Sequence, residues 1–211
     1  MAFITWTSAF ILAYLIGSIP TAVWISKRYF SIDIREHGSK NAGATNTFRV
    51  LGKKAGISVL VIDILKGFLA SSLGLIWITL NWFKPAEYTI VVSISLGCSA
   101  VAGHLFSIFT SFKGGKGVAT FFGVVLYTAP KAALVCCVLF FIILVVFKYV
   151  SLSSIIASLF FLSFQFISFF NPHGITLILF GTSIVLVILI THRKNIRRLL
   201  KGEENKIYLF K

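Results

Sequence analysis

A chain of 211 residues that is 57% hydrophobic, with a mean hydropathy of +0.94, carries more apolar surface than an ordinary soluble domain hides, so lipid is the solvent for most of it. Lys and Arg number 20 against six acidic residues, giving a net charge of +14. In a soluble protein this excess would point to nucleic acid; here the basic residues stand beside apolar runs, where anionic headgroups and the positive-inside rule place them, and no nucleic-acid partner is expected.

Seven apolar segments follow one another at 3 to 25, 57 to 81, 89 to 109, 117 to 130, 131 to 147, 149 to 170 and 174 to 191. The first has no Lys or Arg before Lys27, so it lacks the basic start of a cleaved signal peptide and is expected to be a retained span. The connection that follows, at 27 to 56, is the most polar in the chain and long enough to be functional. It holds "DIREHGSKNAGATNTFRVLG", crowded with Gly38, Ser39, Asn41, Gly43, Thr45 and Asn46. Small residues let backbone approach a ligand closely, and Ser, Thr and Asn side chains bond oxyanions. Arg49 falls on a helix expected to begin near Thr45, whose N-terminal dipole also favours an anion. The same residues describe a capped turn at a helix start.

In the second segment Asp63 and Lys66 stand three residues apart and pair on one helix face, either as a functional group or as a lock between helices. The third segment carries His104 near its end and runs into "SFKGGKGVAT", with Lys113, Gly114, Gly115, Lys116 and Gly117. Backbone NH groups freed of side chains, beside two ammonium groups, suit a phosphate. The spacing is not that of a Walker A loop, because Gly117 stands where Ser or Thr is needed, and a plain turn between two spans fits the glycines as well.

Residues 118 to 147 as one helix would reach ~45 Å, well over a ~30 Å hydrocarbon core, and Pro130 offers a break. Splitting them puts 27 to 56, the GGKG loop, Lys148 and the 192 to 211 tail on one side, with 7, 2, 1 and 7 basic residues; the other side holds only Lys84 and Lys131. The expected fold is therefore an all-α integral membrane protein with seven transmembrane helices, N-terminus outside and C-terminus cytoplasmic. Residues 1 to 211 form one polytopic domain, with cytoplasmic site loops at 27 to 56, 107 to 117 and 192 to 211. "VSLSS" opens the sixth span with Ser151, Ser153 and Ser154, and the tail contributes "HRKNIRRLLKGEENK".

Several chemistries lack their residues. Cys98, Cys136 and Cys137 all lie in apolar runs, without metal-ligand or disulfide-framework spacing, and the four histidines are scattered, so no metal site is expected. No aspartate stands five residues beyond any histidine, no GxSxG elbow occurs, and no aspartate cluster suits Mg²⁺. What remains is a phosphate-binding site without an evident base, nucleophile or cofactor. A transporter for an organic phosphate would show inverted repeats and broken helices around a midplane site, and no repeat is visible. A non-enzymatic lipid-sensing or assembly role accounts for the basic tail but not for the GGKG and GATN clusters.

Taken in order, "GSIP" at 17 to 20, the 33 to 52 cluster, "DILKG" at 63 to 67, "GHLFSIFTSFKGGKGVAT" at 103 to 120, "VSLSS" and the 192 to 206 tail closely resemble the bacterial acyl-phosphate:glycerol-3-phosphate acyltransferases, the PlsY family, over almost the whole chain. Two positions depart from the family pattern: Lys40 stands where glycine is usual, and Ser107 replaces a proline, which is expected to soften the bend into the GGKG loop. The resemblance implies acyl transfer from acyl phosphate to the 1-hydroxyl of sn-glycerol 3-phosphate. The products are lysophosphatidic acid and phosphate, formed at the cytoplasmic lip of the bacterial inner membrane. It also implies a functional link to a soluble enzyme that makes acyl phosphate from acyl carrier protein thioesters. On this reading Ser39, Asn46, Arg49, Lys116, His192 and Asn195 carry the chemistry. Gly38, Asn41, Gly43, Thr45, Lys113, the amides of Gly114 and Gly115, Gly117, Ser153, Ser154 and Arg198 hold substrate phosphates, and Asp63, Lys66 and His104 support them.

Overall fold

Pro20 interrupts the first apolar segment. It has no N–H to donate and disfavours helical geometry at Ile19, so the chain forms α1 (Ala2–Ser18) and α2 (Thr21–Phe30), bent by 40° across the break. The retained span expected over 3 to 25 thus takes the form of a bent helix pair. The structure is a computed structural model that describes residues 2–79 and 89–207; the expected end of the second segment at 81, Lys84 and the last residue, Lys211, lie outside them.

Beyond α2 a 3₁₀ turn at Ile34–Glu36 leads to α3 (Ala44–Leu51), and Gly52, at φ 88°, links it to α4 (Lys53–Thr79). Then come α5 (Thr89–Leu105), α6 (Val118–Thr128), α7 (Pro130–Phe147), α8 (Val150–Phe164), α9 (Ile175–Thr191) and α10 (Arg193–Leu200), and no strand occurs among the described residues. The break expected near Pro130 is present: α6 stops at Thr128, and Pro130 takes the first turn of α7, where a missing N–H costs nothing.

Every expected apolar segment has a helical counterpart, but their lengths differ. Among the described residues, Lys53–Ile76, Thr89–Thr110 and Pro130–Phe147 are long and apolar enough to cross a bilayer alone, and the bent pairs α1–α2 and α9–α10 raise the number to five. The 11 residues of α6 and 15 of α8 reach ~16 and ~22 Å, short of a ~30 Å core. Along α7, Leu134, Val138, Phe141, Ile142, Val145 and Val146 are exposed, an apolar face suited to lipid.

Two compact units divide the chain, Met1–Thr128 and Ala129–Lys211. In the first, α4 packs on α5 and α6, α1 on α5, and α3 on α4. Small residues set these approaches: a Cβ on Gly17 would meet the Ala100 backbone, and one on Gly67 would meet Thr120 O. Where lipid removes the hydrophobic drive between helices, such close backbone packing supplies the attraction. In the second unit α8 packs between α7 and α9, with Phe161 edge-on to Phe180 at 6.3 Å, and α10 rests on α8 and α9.

Candidate active site

Asn46 organises the first polar loop. Nearly fully buried on α3, it accepts from Ser39 N–H at 2.8 Å, and its amide donates to Ile34 O, His37 O and Asn41 O at 3.0 to 3.1 Å. One side chain thereby closes the 34 to 46 segment into a ring, with Gly43 capping α3 and exposed Ser39 above it. Gly38 sits at φ 57°, and a Cβ there would run into Asn46 Oδ1 and Val50. Thr45 and Arg49, four residues apart, share a face of α3. The side-chain amide of Asn46, expected to meet substrate, is thus engaged with its own loop.

Lys40 lies at φ 59°, the left-handed region that the usual glycine would adopt freely. That conformation costs a side chain ~1–2 kcal/mol, of which the greater unfolded freedom of glycine would take back ~0.5–1 kcal/mol. Lys40→Gly is therefore expected to stabilise the protein slightly, by up to about 1 kcal/mol, read as a higher Tm in detergent. An unchanged or lower Tm would show that the Lys40 side chain makes good the strain.

At the base of the loop, Arg35 hydrogen-bonds Asp33 at 2.6 and 2.9 Å and Lys27 lies 3.2 Å from it. These bonds, Arg35 foremost, hold the Asp33 carboxyl well below the usual carboxylate range against the opposing effect of burial. An open depression separates this loop from the GGKG loop and is lined by Asp33, Arg35, Glu36, Lys40, Ala42, Lys113 and Gly114. The structure thus brings the first two polar clusters together within one unit.

The GGKG loop departs from expectation in one respect. Gly114 N–H donates to Leu105 O at 3.0 Å and Gly115 N–H to His104 O at 3.1 Å. A Cβ at either glycine would collide with these carbonyls or with His104 Nε2. The two amides expected to cradle phosphate instead cap the orphan carbonyls at the end of α5, and the glycines permit that approach. Gly117, at φ 80°, turns the chain into α6. Ser107 keeps φ −66°, the angle a proline would fix, and its hydroxyl donates to Ser18 O, so the bend is tied down and not softened. Phe112 N–H closes the turn onto Ser107 O at 2.8 Å, with Ser111 and Phe112 at φ 52° and 60°.

Beneath this loop, Asp63 and Lys66 form a buried pair at 2.6 Å, with His104 Nδ1 3.9 Å from the same carboxylate oxygen. His104 and Asp63 thus approach each other without a direct hydrogen bond, a proximity that no local sequence spacing announced.

In the second unit His192 is buried, its Nδ1 2.9 Å from Ile188 O. Ser153 and Ser154, expected at a substrate, donate their hydroxyl hydrogens to Tyr149 O and Val150 O one turn back. The sequence reading missed Glu204. It accepts from Asn195 Nδ2 at 2.6 Å, Arg198 Nε at 2.7 Å and Ser151 Oγ at 3.0 Å, fastening the tail to α8 and α10. The signal was its carboxylate among seven basic tail residues. Burial alone would raise the Glu204 pKa, but these three hydrogen bonds and the Arg198 charge outweigh it and hold the group below its ordinary value. The stabilisation is then complete above the unfolded glutamate pKa of about 4.3 and is lost as the pH falls through the lower folded value. Glu204→Gln is expected to flatten the fall of Tm below about pH 4.3; a parallel fall in both proteins would contradict this.

The family model described as "Glycerol-3-phosphate acyltransferase" matches residues 7–202. A glycerol-3-phosphate acyltransferase of Fusobacterium nucleatum is 41% identical over 200 residues, covering 93% of this chain and 95% of its own. One of Staphylococcus haemolyticus is 44% identical over 199 residues, with the same coverage. Crystal structures of PlsY, an integral membrane glycerol 3-phosphate acyltransferase, superpose with TM-scores of 0.82 for a glycerol 3-phosphate form, at 36% identity and 96% coverage of both chains, and 0.80 for a lysophosphatidic acid form, at 35% identity and 96% and 95% coverage. Matched by the family model over residues 7–202 and by relatives and crystal structures over more than nine-tenths of its length, with helical, lipid-suited described residues, the chain belongs to the glycerol-3-phosphate acyltransferase family of multi-pass membrane proteins.

Proposed function

We propose that the chain transfers a fatty acyl group from acyl phosphate to the 1-hydroxyl of sn-glycerol 3-phosphate, giving lysophosphatidic acid and inorganic phosphate for phospholipid synthesis. The observation that carries this reading is the depression between the first loop and the GGKG loop, where Lys40 and Lys113 stand beside the Arg35–Asp33 pair and Glu36. That relatives were captured in glycerol 3-phosphate and lysophosphatidic acid forms supports the acceptor and the product.

Acyl phosphate is a mixed anhydride with a good leaving group, so its carbonyl needs no covalent enzyme intermediate. The acceptor oxygen attacks the carbonyl carbon, the bond from that carbon to the phosphate oxygen breaks, and the departing phosphate takes the hydroxyl proton. The chain then has to position two phosphates and neutralise charge as one leaves. Ser39, Thr45, Arg49, Lys113 and Lys116 serve this role in the first unit, with Asn41, Gly38, Gly43 and Gly117 shaping the two loops that carry them. His192, Asn195 and Arg198 are further hydrogen-bond and charge partners. Asn46 acts as a positioning residue through Ser39.

The topology proposed with this chemistry has seven spans, an external N-terminus and a cytoplasmic C-terminus in the inner membrane, because that arrangement gathers 17 of the 20 basic residues inside. A soluble enzyme that forms acyl phosphate from acyl carrier protein thioesters would supply the donor. The broken first span is a feature of transporters, where freed carbonyls coordinate ions; here Lys66 and Ser107 take up Ile19 O and Ser18 O, which favours the enzyme.

Purified protein in detergent, given palmitoyl phosphate and radiolabelled glycerol 3-phosphate, is expected to form labelled lysophosphatidic acid and one phosphate per turnover, with a chelator present. No product, or product from an acyl thioester instead, would defeat the proposal.

A further inference from the structure

Asp63 and Lys66 lie on α4, each about 97% buried. A buried ion pair is a costly way to join helices in hydrocarbon, since apolar residues of similar size commonly hold as well or better. Its presence calls for a directional task, and its partners indicate which one. Thr21 Oγ1, at the start of α2, donates to Asp63 Oδ1 at 3.1 Å, and Lys66 Nζ donates to Ile19 O inside the break between α1 and α2. On the opposite side His104 Nδ1 faces the same carboxylate oxygen at 3.9 Å. The far edge of the imidazole, Nε2, abuts Gly115, whose amide is bound to His104 O. Ser18 Oγ, fully buried and without a hydrogen-bond partner, lines the same crevice as Lys66, His104 and the two loop glycines. The charge pair, the helix break and the GGKG backbone therefore form one continuous set of contacts.

We propose that Asp63 and Lys66 are positioning residues for acyl transfer: through His104 and the α1–α2 break they set where the GGKG loop, and hence Lys116, stands. The inference rests on the proposed acyl-phosphate reaction. Displacing a charged group by ~1 Å can cost ~10²-fold in rate, so loosening this brace is expected to lower kcat without unfolding the protein.

The test separates positioning from a mere lock. In Asp63→Leu/Lys66→Met both charges vanish together, which strands neither, and the protein is expected to fold with a Tm near wild type. If the pair only locks helices, the double variant recovers turnover along with stability. If it positions the loop, kcat falls ten- to a hundredfold while KM for both substrates changes much less. His104→Gln is expected to lower kcat similarly, and the triple variant to be no slower than the double, because the groups act through one chain of contacts. Thr21→Val, which removes only a hydroxyl, keeps the question decidable should the double variant misfold. It is expected to slow turnover and to speed hydrogen–deuterium exchange in peptides spanning 112–117 while leaving α4 protected. Wild-type kcat and wild-type loop exchange in both Thr21→Val and His104→Gln would overturn the inference. An inactive wild type would strike the reaction proposed above, and loop exchange would still decide this one.

Discussion

Lys116→Ala is expected to lower turnover about a hundredfold while leaving the protein folded, the loss corresponding to one charge-assisted contact of ~3 kcal/mol. The structure sharpens this expectation by removing a competitor. With Gly114 and Gly115 amides committed to Leu105 O and His104 O, the loop's capacity for anions shifts from these two amides towards its ammonium groups. Lys116 stands between Gly115 and Gly117, where the chain turns into α6. Charge on the leaving phosphate grows towards the transition state, so a contact made there acts on kcat more than on KM. Lys113 is exposed on the rim of the depression, and Lys113→Ala is expected to cost less than tenfold. Steady-state kinetics with palmitoyl phosphate and glycerol 3-phosphate, beside a detergent melting curve, check both. Near-wild-type turnover in a folded Lys116→Ala protein would reduce "SFKGGKGVAT" to a turn between helices.

The parts of this molecule that were legible in sequence are those governed by local rules. Apolar run length located a helix in each of the seven expected segments, and Pro130 marked the α6–α7 break. The break in the first segment was signalled by Pro20 in the same way, but an apolar run continuing to residue 25 concealed it. The residues that shape the site obey longer-range constraints. Asn46 reads as a phosphate ligand by type, yet its partners, Ile34, His37, Ser39 and Asn41, lie in the turn that precedes α3 and become visible only when that turn closes. The GGKG glycines look like an anion cradle because any glycine-rich loop offers amides. Whether those amides are free depends on the end of α5 folding against them. Asp63 and His104 are 41 residues apart in sequence, and Glu204 gathers partners from α8 and α10, so no spacing rule could have paired them.

Asn46→Asp is expected to abolish most activity although it changes one atom, and it is the sharper test of the loop than alanine. The wild-type side chain is matched on both sides: its carbonyl oxygen receives Ser39 N–H, and its two amide hydrogens are shared among three backbone carbonyls. A carboxylate preserves the first bond and inverts the second, setting an anionic oxygen against Ile34 O, His37 O and Asn41 O in a site nearly closed to water. Buried charge without a donor is among the costliest arrangements a protein can hold, and a buried group left unsatisfied costs ~1–3 kcal/mol even when neutral. The 34 to 46 ring should therefore open, displacing Ser39 while the helices remain packed. The expected signature is a folded protein, with most helical hydrogen exchange still protected, whose residues 34–46 exchange quickly and whose kcat/KM falls at least a hundredfold. Asn46→Ala should show the same local exchange with a smaller penalty, because a cavity can admit water to the carbonyls. If Asn46→Asp keeps its loop protected and loses only turnover, Asn46 meets the substrate directly and is not the scaffold of the loop.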